Sequence, residues 1–484
     1  MNLYLNMNDE FFLEFVSQVE KEKTFLVVNN SIQKKIKNKE YYIFLENDFF
    51  NLEYLESKTQ KLDIYLSEAE ILSYSDVESM FYQIIDRLSY ISISNQIQRD
   101  IFLLNLLFWN NFLIVNKIKK IFINNSPHFG WDNIVYEIAK KNNIKVSYIE
   151  RTFIKNSVIL NHDYKKMYKV PSDYLENNNL SELKKYPIID KLYEESVWSK
   201  ASKDINSRVI NKKKSFIKNI VLFILRNINL YILFSKNPPS AIYLNPSLRN
   251  KPFYLVFKNF LETNKTEKLK QYYESLCVHY ESKKKYIYFA LHFQPERTTM
   301  PLGGVFANQL YALKILSESM PDDWIIYVKE HPRQFDKTML LLKHKHYRSI
   351  NFYDSLKKIS KVQILSIEEN NNTLIKNANL TASISGSTVW EGLLQGVPGL
   401  VFGNPWYSPC NSCFIIKSSS DIINIFNKYK LLSSERVLTD LYKFIIFMEK
   451  DFIISSNSYG YAQKSDIKID EQLNNLVNAY LKEN

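Results

Sequence analysis

Residues 380–402 read LTASISGSTVWEGLLQGVPGLVF. An apolar run leads into small hydroxyl residues around Gly386 and then into a helical pattern, and a second apolar run follows at 399–402. Pro398 separates the helical pattern from that second run, because proline cannot continue a helix. A strand, a helix and a strand in this order predict a parallel βαβ unit, and therefore an α/β fold.

The same alternation extends in both directions along the chain. Apolar runs of strand length occur in eight further places, at 24–28, 41–45, 62–66, 120–123, 145–149, 286–291, 324–328 and 362–365. Helical patterns separate the earlier runs, at 75–90, 94–117 and 131–142. Alternating strands and helices favour parallel sheets covered on both faces. The sequence therefore predicts two doubly wound, Rossmann-like α/β domains that face a central cleft, with residues 1–240 in the first and 241–484 in the second.

The composition predicts a folded protein with an anionic partner. Hydrophobic residues make up 45% of the chain and charged residues 24%, which is the balance of a globular protein. The formal net charge of +12 favours a nucleotide, an acidic glycan or an acidic lipid surface. No nucleic-acid partner is expected, because the aromatic residues follow the Tyr- and Phe-rich composition of the whole chain and form no single-strand-binding pattern.

Residues 209–234 combine a basic flank with an apolar stripe. Arg226 and Asn227 interrupt the apolar run, which leaves it too short and polar to cross a bilayer comfortably. Two interpretations stay open, a basic amphipathic helix on an anionic membrane surface and a buried linking helix. The three cysteines are too few for a disulfide framework, and no apolar signal run opens the chain. A cytoplasmic location is expected, peripheral to the inner membrane if the first interpretation applies.

Glycine is scarce but clustered. Only nine glycines occur in 484 residues, and seven of them lie between Gly303 and Gly403. Gly130 lies in a second candidate segment, Ser126 to Asp132. Glycine is needed where the backbone takes a positive φ or comes very close to a ligand, so the cluster predicts loops that surround a small molecule. Ordinary turns are the alternative.

Three segments of the second domain follow predicted strands, and ligands of parallel sheets bind at the strand ends. The first segment contains Gln294, Arg297 and the pair Gly303-Gly304, ahead of a helix expected to begin near Val305. Paired glycines at a helix start expose backbone N–H groups, and the helix dipole favours an anion there. Arg297 would add a charge-assisted contact.

The second segment is Lys329-Glu330-His331-Pro332-Arg333. Pro332 holds His331 in extended geometry and ends the strand. The two flanking cations suit a phosphate, so the segment predicts a ligand contact through His331. A histidine with a purely structural role is the alternative.

The third segment runs through Ser385, Gly386, Ser387 and Thr388 to Glu391. Hydroxyl groups and backbone donors at a strand-to-helix junction suit a phosphate. Glu391 can accept hydrogen bonds from ribose hydroxyls, or it complements the helix dipole. The lysine of a P-loop and the GxGxxG pattern are both missing, which disfavours an ATPase and a dinucleotide enzyme.

Taken together, these segments resemble bacterial capsule polysaccharide biosynthesis proteins, which are glycosyltransferases of the GT-B fold and include capsular Kdo transferases. The resemblance covers roughly residues 120–160 and 285–405. It is carried by His331-Pro332, Ser385–Thr388 with Glu391, residues 396–403, Gln294-Pro295-Glu296 and Pro127–Asp132. It implies a CMP-activated, Kdo- or sialic-acid-like sugar transferred to a capsular or lipopolysaccharide glycan. It also implies that the CMP is held by His331, Pro332, Ser385, Ser387 and Thr388.

An inverting transfer needs a general base for the acceptor hydroxyl. Asp132 is the first candidate and His128 the second, because both follow a strand of the first domain, and Glu296 is a third. Asp132 as the cap of the helix that begins there is an equally good interpretation. No metal and no cofactor are expected, since no Asp/His ligand cluster occurs. The expected partners are a CMP-linked nucleotide sugar and a glycan or glycolipid acceptor, with an anionic membrane surface as a further candidate.

Three other functions remain open at this stage. A CDP-glycerol or polyol-phosphate transferase shares the two-domain architecture and the cytidine nucleotide. A nucleotide-sugar epimerase shares the fold but needs no acceptor domain. A noncatalytic protein that binds acidic glycan would lose affinity steeply with salt and turn over no nucleotide.

Overall fold

The computed structural model describes residues 1–20, 23–37, 40–88, 93–165, 252–294, 296, 299–336, 347–429 and 432–483, with five isolated positions between 192 and 232. The segment 209–234 apart from four isolated positions, the expected boundary at residue 240, and Arg297 lie outside the described residues. None of the described helices is long and apolar enough to cross a membrane.

The described strands are β1 Asn2–Leu5, β2 Thr24–Val28, β3 Tyr41–Leu45, β4 Lys120–Ile123, β5 Lys145–Arg151, β6 Ser157–Asn161, β7 Tyr286–Ala290, β8 Ile325–Lys329, β9 Val362–Leu365, β10 Leu380–Ser383, β11 Gly399–Val401, β12 Cys413–Ile415 and β13 Ile453–Ile454. The described α-helices are α1 Glu10–Val19, α2 Asn30–Gln33, α3 Leu52–Thr59, α4 Glu68–Leu72, α5 Ser75–Leu88, α6 Asn95–Val115, α7 Trp131–Lys141, α8 Pro252–Ser275, α9 Gln309–Ser319, α10 Ile350–Lys358, α11 Asn371–Lys376, α12 Ser387–Leu394, α13 Ser419–Tyr429, α14 Ser434–Met448, α15 Tyr459–Ala462 and α16 Ile469–Glu483.

Two sheets organise these elements. The first has the strand order β13-β6-β5-β4-β1-β2-β3, and the second has the order β12-β11-β10-β7-β8-β9. Strands β1 to β5 are parallel, β6 and β13 are each antiparallel to their neighbours, and the second sheet is parallel throughout. In both sheets the chain starts in the middle, winds to one edge and then returns to the other side, which is the doubly wound topology. The predicted fold class, GT-B-like with two Rossmann-like domains, is confirmed.

Helices cover both faces of the second sheet, so its strands are apolar on both sides. Along β7, Ile287 and Phe289 pack into one buried cluster, whereas Tyr286 and Tyr288 pack into another. This two-residue alternation follows from the pleat of the strand. Since neither face is exposed, the strand tips and the loops beyond them are the places where a ligand can bind.

The two halves of the molecule meet at the carboxyl ends of their strands. Phe153, two residues beyond β5, packs against Tyr407 beyond β11 with ring centroids 5.7 Å apart. Leu302 of the second half packs against the core of the first. The Tyr347 hydroxyl donates a hydrogen bond to Asp86 Oδ2 at 2.9 Å. The loops at both strand edges therefore line a shared cleft.

Residues 62–66, expected as a strand, form none. The side chains alternate between half-buried and exposed, which produced the two-residue pattern, but none of the described strands pairs with this segment. The backbone N–H groups of Asp63 and Ile64 instead donate to Asn111 Oδ1 on α6, at 3.0 and 2.9 Å. An extended segment without a paired neighbour satisfies its donors through a side chain.

The end of the chain returns to the first sheet. Ile453 and Ile454 pair with β6, and Tyr480 of α16 packs its ring against Phe15 and Phe122 at 5.4 and 5.3 Å. The expected second domain of residues 241–484 is therefore corrected at its C-terminal end, since residues 453–483 complete the first domain. Two-residue β13 is too short to produce a strand signal.

Candidate functional site

The main cleft lies beyond the carboxyl ends of the second sheet. It opens between β7 and its neighbours β10 and β8, where the strand order reverses and a parallel sheet leaves a crevice. The cleft holds about 1090 Å³ of free space, counted out to the solvent at its mouth. Its walls are the residues Phe153, Tyr288, Ala290, Leu291, His292, Phe293, Glu296, Lys329, Glu330, His331, Pro332, Arg333, Asn371, Ser383, Ser385, Gly386, Ser387, Thr388 and Glu391.

All three predicted segments contribute to these walls. Of the predicted donor-site residues, the structure brings together Lys329, His331, Pro332, Ser385, Gly386, Ser387, Thr388 and Glu391. The carboxyl ends of β7, β8 and β10 therefore meet at one pocket. Gln294 and Gly303 lie away from the cleft walls.

The N-terminus of α12 begins in the cleft wall without a side-chain cap. Gly386 occupies the capping position, and its N–H donates to Ser383 Oγ at 2.8 Å. The Ser387 hydroxyl points along the helix and donates to Glu391 Oε1 at 2.8 Å. The first amides of a helix need an acceptor from elsewhere when no side chain supplies one. This end of α12 is therefore suited to an anion.

Glycine is required at residue 386 for a steric reason. A Cβ added there would lie 2.7 Å from Ser383 Oγ and 3.0 Å from His292 Cε1, closer than such atoms pack. The backbone of the β10–α12 turn thus passes directly over the His292 ring. The need for glycine here therefore comes from a side chain of the protein, whereas the clustered glycines predicted a close approach to a ligand.

His331 is a neutral hydrogen-bond donor in this site. Its Nδ1 accepts the backbone N–H of Arg333 at 3.2 Å, so the single proton of the neutral ring lies on Nε2. Burial lowers the pKa of His331 to about 4, with Arg333, His292 and Lys329 acting in the same direction. His331 therefore contributes an N–H donor near pH 7. The positive charge that the sequence suggested belongs to its neighbours.

Lys329 and Arg333 supply the cationic side chains in the walls of the cleft. Lys329 is only 2% exposed, and its Nζ donates to the Glu369 carbonyl oxygen and to Asn371 Oδ1, both at 2.5 Å. Burial lowers its pKa to about 8, so it stays mostly charged at neutral pH. Arg333 is exposed at the cleft mouth, so its side chain is less constrained than that of the buried Lys329.

His292, which the sequence analysis did not select, lies at the centre of the turn. Its Nε2 accepts the N–H of Ser385 at 3.3 Å and lies 2.9 Å from Ser383 Oγ. The ring proton is therefore on Nδ1, which lies 3.6 Å from Glu296 Oε2. The signal that could have found it is its position two residues beyond β7, the first strand of the second sheet.

A buried ion pair connects two of the strand ends that line the cleft. Glu330 and Arg348 are 1% and 4% exposed, and Arg348 Nε lies 2.5 Å from Glu330 Oε2. Arg348 Nη2 donates to the His292 carbonyl oxygen at 3.0 Å, and Glu330 Oε1 accepts the N–H of His331 at 2.8 Å. The pair therefore ties the end of β7 to the end of β8. Arg348 lies 18 residues from Glu330 along the chain, and no local pattern marks it.

Glu391 lies in the cleft wall with an unusually weak acid group. Burial raises its pKa from 4.5 to about 7, although the Ser387 hydrogen bond acts in the opposite direction. Near neutral pH it exchanges between a form that only accepts hydrogen bonds and one that also donates. Either form can bind a hydroxyl group.

The paired glycines do not form an anion site. Gly303 N–H donates to the Thr299 carbonyl oxygen at 2.9 Å, and Gly304 N–H donates to that of Pro301 at 3.0 Å. Helix α9 begins only at Gln309. The predicted helix start near Val305 is present as a short 3₁₀ helix, Gly304–Ala307, with Gly303 in its capping position. The expected anion contact is not supported, because turn hydrogen bonds use the N–H groups of both glycines.

Gln294 has a structural role. Its N–H donates to Gln334 Oε1 at 2.9 Å, and the Gln334 amide donates back to its carbonyl oxygen at 3.1 Å. Its own Nε2 donates to Thr299 Oγ1 at 2.6 Å. The side chain is 2% exposed, so Gln294 fixes the loop shape and does not reach the cleft.

Asp132 is fully buried and has both oxygens occupied. Oδ2 accepts from Asn6 Nδ2 at 3.1 Å and from His128 N–H at 3.0 Å, and Oδ1 accepts from Phe129 N–H at 2.8 Å. Burial raises the pKa of this carboxyl, and these donors lower it. A carboxylate enclosed in this way cannot reach an acceptor hydroxyl. Asp132 is therefore corrected as the first choice of general base. It is not the cap of α7 either, because Gly130 occupies the capping position and the N–H groups of His128 and Phe129, which donate to Asp132, precede the helix.

His128 is oriented by the same loop. Its Nδ1 lies 2.7 Å from the Ser126 carbonyl oxygen, which accepts the ring proton and leaves Nε2 as the acceptor nitrogen. The ring packs against Phe129 with centroids 4.3 Å apart. A histidine with Nδ1–H held by a carbonyl is oriented as a base is in many enzymes.

No family model matches the chain, and no curated protein matches it either. Among solved structures, the KpsC β-Kdo 2,7 transferase of Thermosulfurimonas dismutans is similar at 9% identity and a TM-score of 0.33, over 99% of this chain and 100% of that one. The β-Kdo 2,4 transferase of the same organism is similar at 14% identity and a TM-score of 0.29, over 68% and 79%. The UDP-GlcNAc 2-epimerase of Methanocaldococcus jannaschii is similar at 12% identity and a TM-score of 0.23, over 88% and 92%. At TM-scores this low, the likenesses assign neither a substrate nor a site residue to this chain.

Proposed function

We propose that this chain is a glycosyltransferase that moves a Kdo- or sialic-acid-like sugar from a CMP donor to a growing capsular or lipopolysaccharide glycan. The observation that carries the proposal is the uncapped start of α12 in the cleft wall, beside the neutral His331 donor and the cations Lys329 and Arg333. The donor would bind to the second domain, and the acceptor would approach from the first.

The phosphate of the donor would lie against α12. When the bond between sugar and CMP breaks, negative charge grows on that phosphate. The helix amides, His331 Nε2–H and Arg333 would stabilise the charge as it develops, which is an effective form of catalysis in a site with fixed donors. The buried Lys329 would contribute its positive charge from within the cleft wall.

The nucleoside would lie against the aromatic wall of the cleft. Phe153, Tyr288 and Phe293 line it, and planar bases gain from contact with aromatic rings. Glu391 lies in the same wall and would bind a ribose hydroxyl. Phe153 comes from the first domain, so a bound nucleotide would touch both halves of the molecule.

The acceptor hydroxyl would lose its proton to His128. The residue follows β4 at the carboxyl edge of the first sheet, and its acceptor nitrogen is Nε2. Asp132 would position it, because it binds the His128 N–H. Glu296 remains a candidate from the opposite wall, where it faces His292.

The test is a binding and turnover comparison on the purified full-length chain. Thermal shifts with CMP, CDP, UDP and GDP report which nucleotide binds, because a ligand raises apparent stability by mass action. CMP should give the largest shift. Arg333→Ala should weaken CMP binding, and Arg99→Ala, an exposed arginine outside the cleft, should not. Incubation with CMP-Kdo or CMP-sialic acid and a glycan acceptor should yield CMP and an extended glycan.

The alternatives correspond to other results of the same experiment. A larger shift with CDP, together with transfer of glycerol phosphate, would indicate a polyol-phosphate transferase. Interconversion of a UDP-sugar without any acceptor would indicate an epimerase. Failure of all four nucleotides to bind would contradict the proposal.

A further inference from the structure

A second cavity lies at the carboxyl edge of the first sheet. It forms where β5 ends, β6 begins and β13 ends, and it holds about 880 Å³ of free space counted out to the solvent. Its walls are the residues Arg151, Ile154, Lys155, Asn156, Ser157, Val158, Ser455, Ser456, Asn457, Tyr461 and Lys464. We call this cavity the edge pocket. The proposed donor and base residues are not part of it.

The walls of the edge pocket are held by internal hydrogen bonds. The N–H of Ser455 donates to the Asn156 carbonyl oxygen at 3.0 Å. The hydroxyls of Ser455 and Ser456 donate to the carbonyl and side-chain oxygens of the fully buried Gln472, at 2.9 and 2.7 Å. The hairpin from β5 to β6 and the segment after β13 are thereby fixed relative to each other. A ligand would bind a surface that is already ordered, so binding would not include the free-energy cost of ordering these loops.

Two polar side chains in these walls lack partners. Ser157 and Asn457 are 7% and 8% exposed, and neither Ser157 Oγ nor Asn457 Oδ1 has a hydrogen-bond partner among the described residues. Leaving a buried polar group unsatisfied costs roughly 1–3 kcal/mol, and such groups are rare in folded proteins. Both oxygens are shielded from solvent, so ligand hydroxyls would bind them, and remove this cost, only after the two side chains rotate towards the cavity.

The edge pocket carries a net positive charge. Its cationic wall residues are Arg151, Lys155 and Lys464, and none of the wall residues that the structure describes is acidic. The Arg151 guanidinium lies 4.0 Å above the Tyr461 ring, which orients it. The Asp466 carboxylate lies just outside, contacts Lys155 Nζ and accepts a hydrogen bond from Asn156 Nδ2, both at 2.9 Å, but the Asp466 and Lys155 side chains are exposed, at 67% and 39%. Exposed ion pairs contribute little, so an anion can compete for Lys155.

The edge pocket adjoins the donor cleft. Phe153 lines the cleft, and the next residue, Ile154, lines the edge pocket. One β-hairpin turn therefore separates the two. A chain molecule that reacts in the cleft would place its neighbouring groups within reach of this pocket.

We propose that the edge pocket binds a carboxylate-bearing sugar residue of the acceptor glycan. The three cations match the carboxylate, and Ser157 and Asn457 match ring hydroxyls. Tyr461 is the single aromatic residue among the described wall residues, which disfavours a nucleotide base here. The proposal rests on the glycosyltransferase function, because it identifies the charged part of that enzyme's acceptor.

The test uses two sugars that differ only at one carbon. Galacturonate has a carboxylate where galactose has a hydroxymethyl group. Both are titrated into the full-length chain by calorimetry with CMP present in excess, so that the donor cleft is occupied, and inorganic phosphate is a third probe. Galacturonate should bind and galactose should not. The Lys155→Glu/Lys464→Glu double variant should bind galacturonate at least about tenfold more weakly, since two charge reversals next to an anion change binding by more than one surface pair does.

Two variants serve as controls. Lys283→Glu makes the same charge change on an exposed loop residue far from the pocket lining, and it should not alter galacturonate affinity. Asp466→Asn removes the competing carboxylate and should tighten galacturonate binding about two- to threefold, in line with an exposed ion pair. A CMP titration of each variant reports whether its fold and its donor cleft are intact.

The outcomes separate this proposal from the proposed function. Equal binding of galacturonate to the wild type and the double variant would overturn the edge-pocket proposal, and so would binding of phosphate but of no sugar. Loss of galacturonate binding in the double variant, in a chain that binds no nucleotide, would refute the glycosyltransferase and keep an acidic-sugar site. In a working enzyme, the double variant should raise the KM for an acidic acceptor while kcat at saturating acceptor is kept.

Discussion

Replacing His331 tests the donor site at one atom. In the structure, Nδ1 caps the short 3₁₀ helix Pro332–Phe335 by accepting the Arg333 N–H, so only Nε2–H can reach a phosphate. His331→Asn keeps an acceptor for that N–H, because asparagine is a good N-cap, and it removes the Nε2 donor. His331→Ala removes both. The two variants therefore separate ligand binding from local folding.

The size of the effect follows from the type of bond lost. A hydrogen bond to a charged group contributes about 1.5–3 kcal/mol, so each variant should bind CMP roughly ten- to a hundredfold more weakly. His331→Ala should also lose about 1 kcal/mol of stability with the cap, whereas His331→Asn should not. Calorimetric titration with CMP and urea unfolding measure the two quantities. Wild-type CMP affinity in His331→Asn would refute the assignment of Nε2 to the phosphate.

The pH dependence gives an independent check on the same residue. The pKa of His331 is about 4 in the folded chain, compared with 6.5 for a histidine exposed to water. Between these values the unfolded chain binds more protons, so the free energy of unfolding rises with pH across this window. His331→Asn should make that rise shallower. A neutral His331 would be contradicted if the free energy of unfolding of the wild type, compared with that of His331→Asn, fell as the pH rose from 4 to 6.5.

Three further predictions concern the support of the cleft. Arg348→Met leaves the buried Glu330 carboxylate unpaired and should lower the free energy of unfolding by about 3–5 kcal/mol. The double variant Arg348→Met/Glu330→Gln should recover a large part of that free energy in urea unfolding. If the losses of the two single variants simply added in the double variant, the two residues would not be coupled. Gly386→Ala places a methyl group against Ser383 and His292 and should weaken CMP binding by about tenfold or more. Gly460→Ala is the control, because a Cβ there meets nothing within 4 Å, and it should bind CMP normally. Equal CMP affinities of the two variants would contradict the close approach at Gly386. The pKa of Glu391 is raised from 4.5 to about 7, so the unfolded chain loses this proton first and the free energy of unfolding falls as pH rises through that window. The stability of Glu391→Gln relative to the wild type should therefore increase from pH 5 to pH 8, and a constant difference would place Glu391 in an ordinary, solvated state.

The sequence predicted the strand tips well because strand and loop signals are local. Apolar runs followed by Pro332 or Gly386 mark where a strand stops and a turn begins, and a parallel sheet brings such turns to one edge. The sequence did not predict Arg348 or Asn371, because their roles depend on contacts with residues distant in the chain. Arg348 reaches the end of β7 from a position 56 residues away. Pairings of this kind leave no periodic pattern.

Residue type alone did not predict which of two similar glycines lines the cleft. Gly303 and Gly386 each occupy the capping position of a helix without a side-chain cap, and each N–H group is bonded within the protein, but only Gly386 lies in the cleft wall.

The pair Asp132 and His128 shows the same difficulty for the general base. An aspartate at a helix start is both a good acid–base candidate and a good partner for backbone N–H groups, and burial decides between them. Because Asp132 is completely enclosed and holds the N–H of His128, its charge acts on the loop backbone and not on a substrate. The acidic residue and the histidine are therefore parts of one arrangement, in which the carboxylate fixes the loop and the imidazole is presented by it.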